Sequence, residues 1–207
     1  NERAIATQQT GWWYVGQCRS DMPRDLGGLY WFGVDDAGTS ALIPVYSVSQ
    51  RVANCIEKGN GSMLEYSETS LFWIVNRVTQ FAYLRYNQTG AEVRSVVDKW
   101  ENEMMEKTRR VDQIAVEMYR RDPKLAREFL TDFSVNAAQT LFNKWVELDK
   151  YLMVKYIDGN TKRQEADGSF SNNGHDPRIP ASPKTDGYTQ KWKEAVVKDH
   201  GNVLETK

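Results

Sequence analysis

One stretch constrains the fold of this chain more than any other. Gly27-Gly28-Leu29-Tyr30-Trp31-Phe32-Gly33-Val34-Asp35-Asp36-Ala37 is an apolar, aromatic strand pattern that runs straight into a pair of carboxylates. A second such stretch precedes it, Gly11-Trp12-Trp13-Tyr14-Val15-Gly16-Gln17-Cys18-Arg19. From about Ser67 onward the pattern changes to long helices. A sheet built from the front strands alone is smaller than an independently stable sheet needs. The imbalance between front and back points to a piece of something larger.

Residues 11–19 are rich in Trp, Tyr and Val without clean alternation, which is how a strand buried on both faces reads. Met22 to Gly28 is a turn. Leu29–Val34 is the second strand, and Ser40–Tyr46 is a third, interrupted by Pro44. Asn60-Gly61 signals a further turn. Ser67 is placed to cap a helix from about Glu68 to Tyr86, with Leu71, Ile74, Val78, Phe81 and Leu84 or Ala82 on its apolar face. Thr89-Gly90-Ala91-Glu92 fits a capping box that opens a second helix running to about Arg121. Its core candidates are Val93, Val97, Trp100, Met104, Val111, Ile114 and Met118.

Asp122-Pro123 reads as a stop and a restart, Asp as cap and Pro at the first helical position. The third helix, to about Ile157, carries Phe133, Ala137, Leu141, Trp145, Leu148 and Leu152 at spacings of three and four, one apolar stripe. Short connections imply antiparallel neighbours. Residues 158–187, rich in Gly, Asn, Asp, Ser and Pro, form a long loop. Tyr188–His200 is a last short helix with Trp192 and Val196 inward. The expected organisation is α+β: a strand-rich part over 1–66 with antiparallel strands at about 11–46, a layer of three long helices over 67–157, and a loop with a C-terminal helix over 158–207.

The charge balance, 27 basic against 28 acidic residues with a net charge of -1, argues against a dedicated nucleic-acid binder. No run of about 18 apolar residues is present, so no membrane span is expected. Most of the 24 aromatic residues (7 Trp, 10 Tyr, 7 Phe) should be core. The two cysteines, Cys18 and Cys55, read as free core thiols rather than as a disulfide framework.

Candidate chemistry is sparse. There is no phosphate-binding glycine loop, no dinucleotide fingerprint, no His-Glu-x-x-His and no Cys-x-x-Cys, and no cofactor or metal is expected. Two histidines, His175 and His200, are too few for a histidine-rich zinc site. Both stand in polar, glycine-flanked contexts unlike those of a catalytic histidine. Asp35 and Asp36 have the residue type of metal ligands or acid–base groups, but capping the turn into Ala37-Gly38-Thr39 is the favoured reading. Arg19 ends a strand of large apolar residues. A guanidinium there can bind a carboxylate bidentately or hold a charged catalytic group. Spacing alone favours a rim arginine paired with Asp21 or Asp25.

Taken as a series, several segments resemble one family. They are Thr10-Gly11-Trp12 leading to Gln17-Cys18-Arg19, Pro23, the whole Gly27–Ala37 stretch, Ser40 through Pro44-Val45-Tyr46, and Ser70-Leu71-Phe72-Trp73-Ile74-Val75-Asn76. Leu152 through Val154-Lys155-Tyr156-Ile157-Asp158-Gly159 and Gly187-Tyr188 followed by Trp192 complete the series. This resembles the C-terminal half of the cysteine dipeptidases of the dipeptidase A type, N-terminal-nucleophile hydrolases related to penicillin V acylases and bile salt hydrolases. The resemblance implies a fragment of a four-layer αββα sandwich. It implies a cysteine freed at the mature N-terminus, whose thiol attacks the peptide carbonyl while its own α-amino group acts as base, so that no histidine is needed.

Asn1-Glu2-Arg3 cannot supply that thiol. The nucleophile is therefore expected upstream, with this chain inactive alone and partnered by the upstream half and a dipeptide substrate. Arg19 is the one residue here that the resemblance offers as a catalytic group. The resemblance further implies a secreted, extracytoplasmic bacterial protein; the unpaired front strands predict that the isolated chain associates with itself, as a homo-oligomer or an aggregate. A reading from another class competes: a non-enzymatic helical binding module for a peptide or protein partner.

Overall fold

The computed structural model describes residues 4–183 and 187–201. They fall into two compact units, one ending at Leu152 and the other beginning at Met153. The first unit opens with a three-stranded antiparallel sheet in the order β1-β2-β3, with β1 Trp12–Cys18, β2 Gly28–Val34 and β3 Ile43–Tyr46. The register sets Trp13 opposite Gly33, Val15 opposite Trp31, and Trp31 opposite Pro44. Successive side chains on a strand point to opposite faces. One face therefore carries Trp13, Leu29, Trp31 and Tyr46, and the other Trp12, Tyr14, Tyr30, Phe32 and Val45.

The first face meets the helices. Leu29 and Tyr46 are buried in a cluster with Leu26, Ala115 and Leu130, and Trp31 and Phe133 pack against it. On the second face Trp12, Tyr14 and Tyr30 are 62%, 53% and 49% exposed. The expectation that residues 11–19 form a strand buried on both sides is therefore corrected. Among the described residues β1 pairs with β2 alone, and its aromatic side chains stack on one another in the open, Trp12 on Tyr14 with centroids 5.8 Å apart. Pro44 is tolerated within β3 because that strand is the opposite edge, where a missing N–H costs no ladder bond.

The helices are α1 Leu71–Leu84, α2 Tyr86–Arg121 and α3 Pro123–Tyr156. Ser67 does not cap α1. Its hydroxyl donates to Asn60 Oδ1 at 2.5 Å, and α1 starts after Ser70. Asn60 is a hub, donating to the carbonyls of Asn54 and Thr69 and accepting from Ser67 and Thr69, which fixes the chain between β3 and α1. The capping box at Thr89 does not form either. Helix α2 already begins at Tyr86, and the buried Thr89 hydroxyl donates to the carbonyls of Ala82 and Arg85 across the break between α1 and α2.

In α1 the buried stripe is Leu71, Ile74, Val75, Val78 and Ala82, while Leu84 is 76% exposed. In α2 the stripe runs Val93, Val97, Trp100, Met104, Thr108 and Ala115. Ile114 lies one residue off that row and faces out. Asp122 accepts from the N–H groups of Lys124 and Leu125 at 2.9 and 3.0 Å, the cap and restart that Asp122-Pro123 predicts. The α3 stripe buries Ala126, Leu130, Ala138, Leu141, Trp145, Leu148 and Leu152.

In the second unit the predicted loop 158–187 contains two isolated bridges, Gln164 with Phe170 and Asn172 with Pro180. Its residues 184–186 lie outside the described residues, as do 1–3 and 202–207 of the predicted termini. Helix α4, Gln190–His200, is capped by the Thr189 hydroxyl. Trp192 is not inward; it is 46% exposed and stacks on Tyr188 with centroids 4.0 Å apart.

Candidate functional site

The sheet's helix-facing side places two polar clusters. The first holds Arg19, at the end of β1. Its Nη2 donates to the carbonyl of Leu26 at 2.9 Å and its Nε to that of Gly27 at 3.3 Å. Nη1 forms an ion pair with Asp112 of α2, with both side chains largely buried. The other Asp112 oxygen accepts from the Tyr46 hydroxyl at 2.6 Å, and the guanidinium lies 5.3 Å from the centre of the Tyr46 ring. Burial foremost, and then the Asp112 carboxylate, pushes the Tyr46 hydroxyl well above the ordinary tyrosine range. Asp25, one of the two partners the spacing offers Arg19, pairs instead with Arg127 and the Tyr119 hydroxyl. Those contacts hold its carboxyl below the usual range.

The second cluster is the turn after β2. Asp35 adopts a left-handed backbone with φ 63°, uncommon for a residue with a side chain. Its N–H donates to the Gly11 carbonyl at 3.0 Å, which tethers the start of β1. Asp35 and Asp36 are both shut off from solvent. Asp36 Oδ1 accepts from the Gly38 N–H at 2.9 Å, so the turn-capping reading holds for this residue. Asp36 Oδ2 accepts from the Tyr83 hydroxyl at 2.6 Å, and that bond pushes the phenol up to about 12.

Asp35 Oδ1 accepts from Asn76 Nδ2 of α1 at 3.0 Å, and Oδ2 has no hydrogen-bond partner among the described residues. Burial raises the Asp35 carboxyl above its ordinary range, opposed by the Thr79 hydroxyl and the Asn76 amide and reinforced by Asp36. Thr79 in turn shares a 2.7 Å hydrogen bond with Thr39, and Trp13 donates to Ser40 at 2.9 Å. Sequence patterns did not single out Asn76, Tyr83, Tyr46 or Asp112. Each meets its carboxylate or arginine across 41 or more residues of chain.

Among the described residues neither cysteine is hydrogen-bonded to a base. Cys55 is buried, and burial raises its thiol to about 11, which disfavours the nucleophilic thiolate. Cys18 is exposed on β1 rather than packed, because β1 is an edge strand. A cavity of about 320 Å³ lies among Phe32, Val34, Cys55, Ile56, Phe72 and Trp73, beside the Asp35 turn. A second of about 500 Å³ is bounded by the exposed Trp12, Tyr14 and Tyr30 with Val45 and Val52. A groove of about 790 Å³ separates α2 from α3, with Trp100, Tyr151, Lys99 and Lys144 on its walls. No helix of the described residues is long and apolar enough to cross a membrane.

Residues 1–99 match the model of peptidase family C69. A protein called "Probable dipeptidase B" from Streptococcus pyogenes serotype M1 is 19% identical over 144 residues, 68% of this chain and 28% of that protein. The chain thus spans well under half the length of the relative it matches. The matched segment contains all three strands, the Asp35–Asp36 turn, the whole of α1 and the first turns of α2. The similarity to peptidase family C69 runs through this sheet and its carboxylate turn.

Proposed function

We propose that this chain is the C-terminal portion of a cysteine-type dipeptidase whose nucleophile lies upstream of these residues. The observation that carries the reading is the family match over the sheet and its turn. A relative named as a dipeptidase supports peptides as the substrate class. In the proposed reaction the thiol of an N-terminal cysteine attacks the carbonyl carbon of the dipeptide. Its own α-amino group takes the thiol proton and returns it to the leaving amine, and water then hydrolyses the thioester.

The chemistry of this chain is compatible with a nucleophile supplied from elsewhere. Cys55 is a poor thiolate, Cys18 is exposed on the edge strand with no hydrogen bond to a base among the described residues, and His175 sits in an exposed turn. Arg19 remains the arginine offered to the site. With its donors engaged by Asp112 and two carbonyls, it would act by holding the end of β1 against α2. The proposed location is extracytoplasmic.

The test is hydrolysis of a dipeptide panel by the full-length protein, by the same protein with its mature N-terminal cysteine changed to alanine, and by this chain alone. The reading expects amino-acid release from the first only. Undiminished release from the cysteine variant, or silence from the folded full-length protein, would sink it.

A further inference from the structure

Asp35 is an expensive residue. It is fully buried, has a left-handed backbone, and leaves one carboxylate oxygen without a partner among the described residues. Buried polar groups are nearly always satisfied, and strained backbone persists where the surroundings impose it, often at working sites. Among the described residues the one amide side chain that Asp35 holds is Asn76, through Nδ2 at 3.0 Å. A carboxylate accepts but does not donate, so it fixes which end of the amide faces it. The second Nδ2 hydrogen and the Oδ1 of Asn76 are thereby turned away from Asp35, and neither makes a hydrogen bond within the described residues.

Asn76 is partly exposed on α1. Phe72 and Trp73 precede it by four and three residues, the spacing of neighbours on one helix face. Those two rings, with Phe32 and Val34, line the cavity of about 320 Å³. Val34 directly precedes Asp35, and Gly11, another lining residue, receives its N–H.

We propose that Asn76 is a substrate-binding residue, its amide engaging the peptide group of a dipeptide whose apolar side chain enters the cavity beside it, and that Asp35 is its positioning residue. One N–H and one C=O, held in fixed order, complement the C=O and N–H of a peptide backbone. This rests on the dipeptidase reading above, and it adds the residue that orients the substrate and a preference for apolar side chains.

The test uses the full-length protein and dipeptides carrying leucine or, for comparison, aspartate. Asn76→Ala should lower kcat/KM for the leucine substrate by about 100-fold, the scale of losing one well-placed donor, in protein that still folds at the assay temperature although its melting point falls as the Asp35 carboxylate loses its donor. Asp35→Asn keeps shape and tolerates the left-handed backbone. It should lower kcat/KM by about tenfold on its own and not at all when added to Asn76→Ala, because the two act through one amide.

Independent, additive losses would make Asp35 merely structural and overturn its role. Wild-type kcat/KM in Asn76→Ala would overturn the proposal even if Asp35→Asn fails to fold. Equal use of leucine and aspartate substrates would remove the apolar subsite. A wild-type protein silent on every dipeptide would instead remove the dipeptidase reading, and this inference with it.

Discussion

At the scale of single residues, Asp35 is where local preference and tertiary demand conflict most. A carboxylate that folding strips of water prefers to be neutral, and its carboxyl is raised accordingly. The folded state therefore binds this proton more tightly than the unfolded chain does. The cost of burying the charge is fully present above the folded-state value and disappears as pH falls below the unfolded value. Asp35→Asn should melt at or above the wild-type temperature at pH 7, and the difference should shrink between pH 7 and pH 3; a wild-type protein that instead loses stability relative to Asp35→Asn as pH falls would show that the carboxylate is stabilised as an anion. The Tyr46–Asp112–Arg19 cluster has the opposite logic, since each polar group is paired. Tyr46→Phe removes the donor to one Asp112 oxygen and should cost about 1–3 kcal/mol in urea unfolding.

At the scale of elements, the helices follow from periodicity, but the sheet depends on one close approach. Gly33 lies opposite Trp13, and a Cβ at Gly33 would stand 2.5 Å from the indole nitrogen. That nitrogen is held by Ser40, so the ring has little freedom to retreat. Gly33→Ala should lower stability by about 1–3 kcal/mol, the range for overpacking, and should quench or shift tryptophan fluorescence as Trp13 is displaced. The interior of α3 obeys the usual cavity rule. Leu141 and Trp145 are fully buried, so loss of the native stripe by truncation at either would be felt throughout the helix pair.

At the scale of the whole molecule, the open aromatic face of the sheet is an exposed apolar surface. Trp12, Tyr14 and Tyr30 stand together beside a strand edge that pairs with nothing among the described residues. Such faces and edges are association-prone. The chain by itself should self-associate with rising concentration in analytical ultracentrifugation, and Trp12→Lys with Tyr14→Lys should return it to a monomer. A wild-type chain that stays monomeric up to high concentration would show that this face is protected.

The sequence by itself determined the order of elements, the three long helices, the Asp122-Pro123 restart and the turn at Asp36, because propensity, capping and periodicity are local. The resemblance carried by Trp31–Ala37 and its companions points to the same family whose model matches residues 1–99, because a run of consecutive residues keeps its pattern without the fold. Sequence could not place the start of α2 at Tyr86, because the Thr89 hydroxyl reaches back to Ala82 and Arg85 instead of capping. Nor could it find the partners of Arg19 and Asp35, since Asp112 and Asn76 lie 93 and 41 residues away and only packing of the helices on the sheet brings them near. The exposure of β1 was likewise a tertiary decision: an aromatic strand reads as core until the strand order makes it an edge.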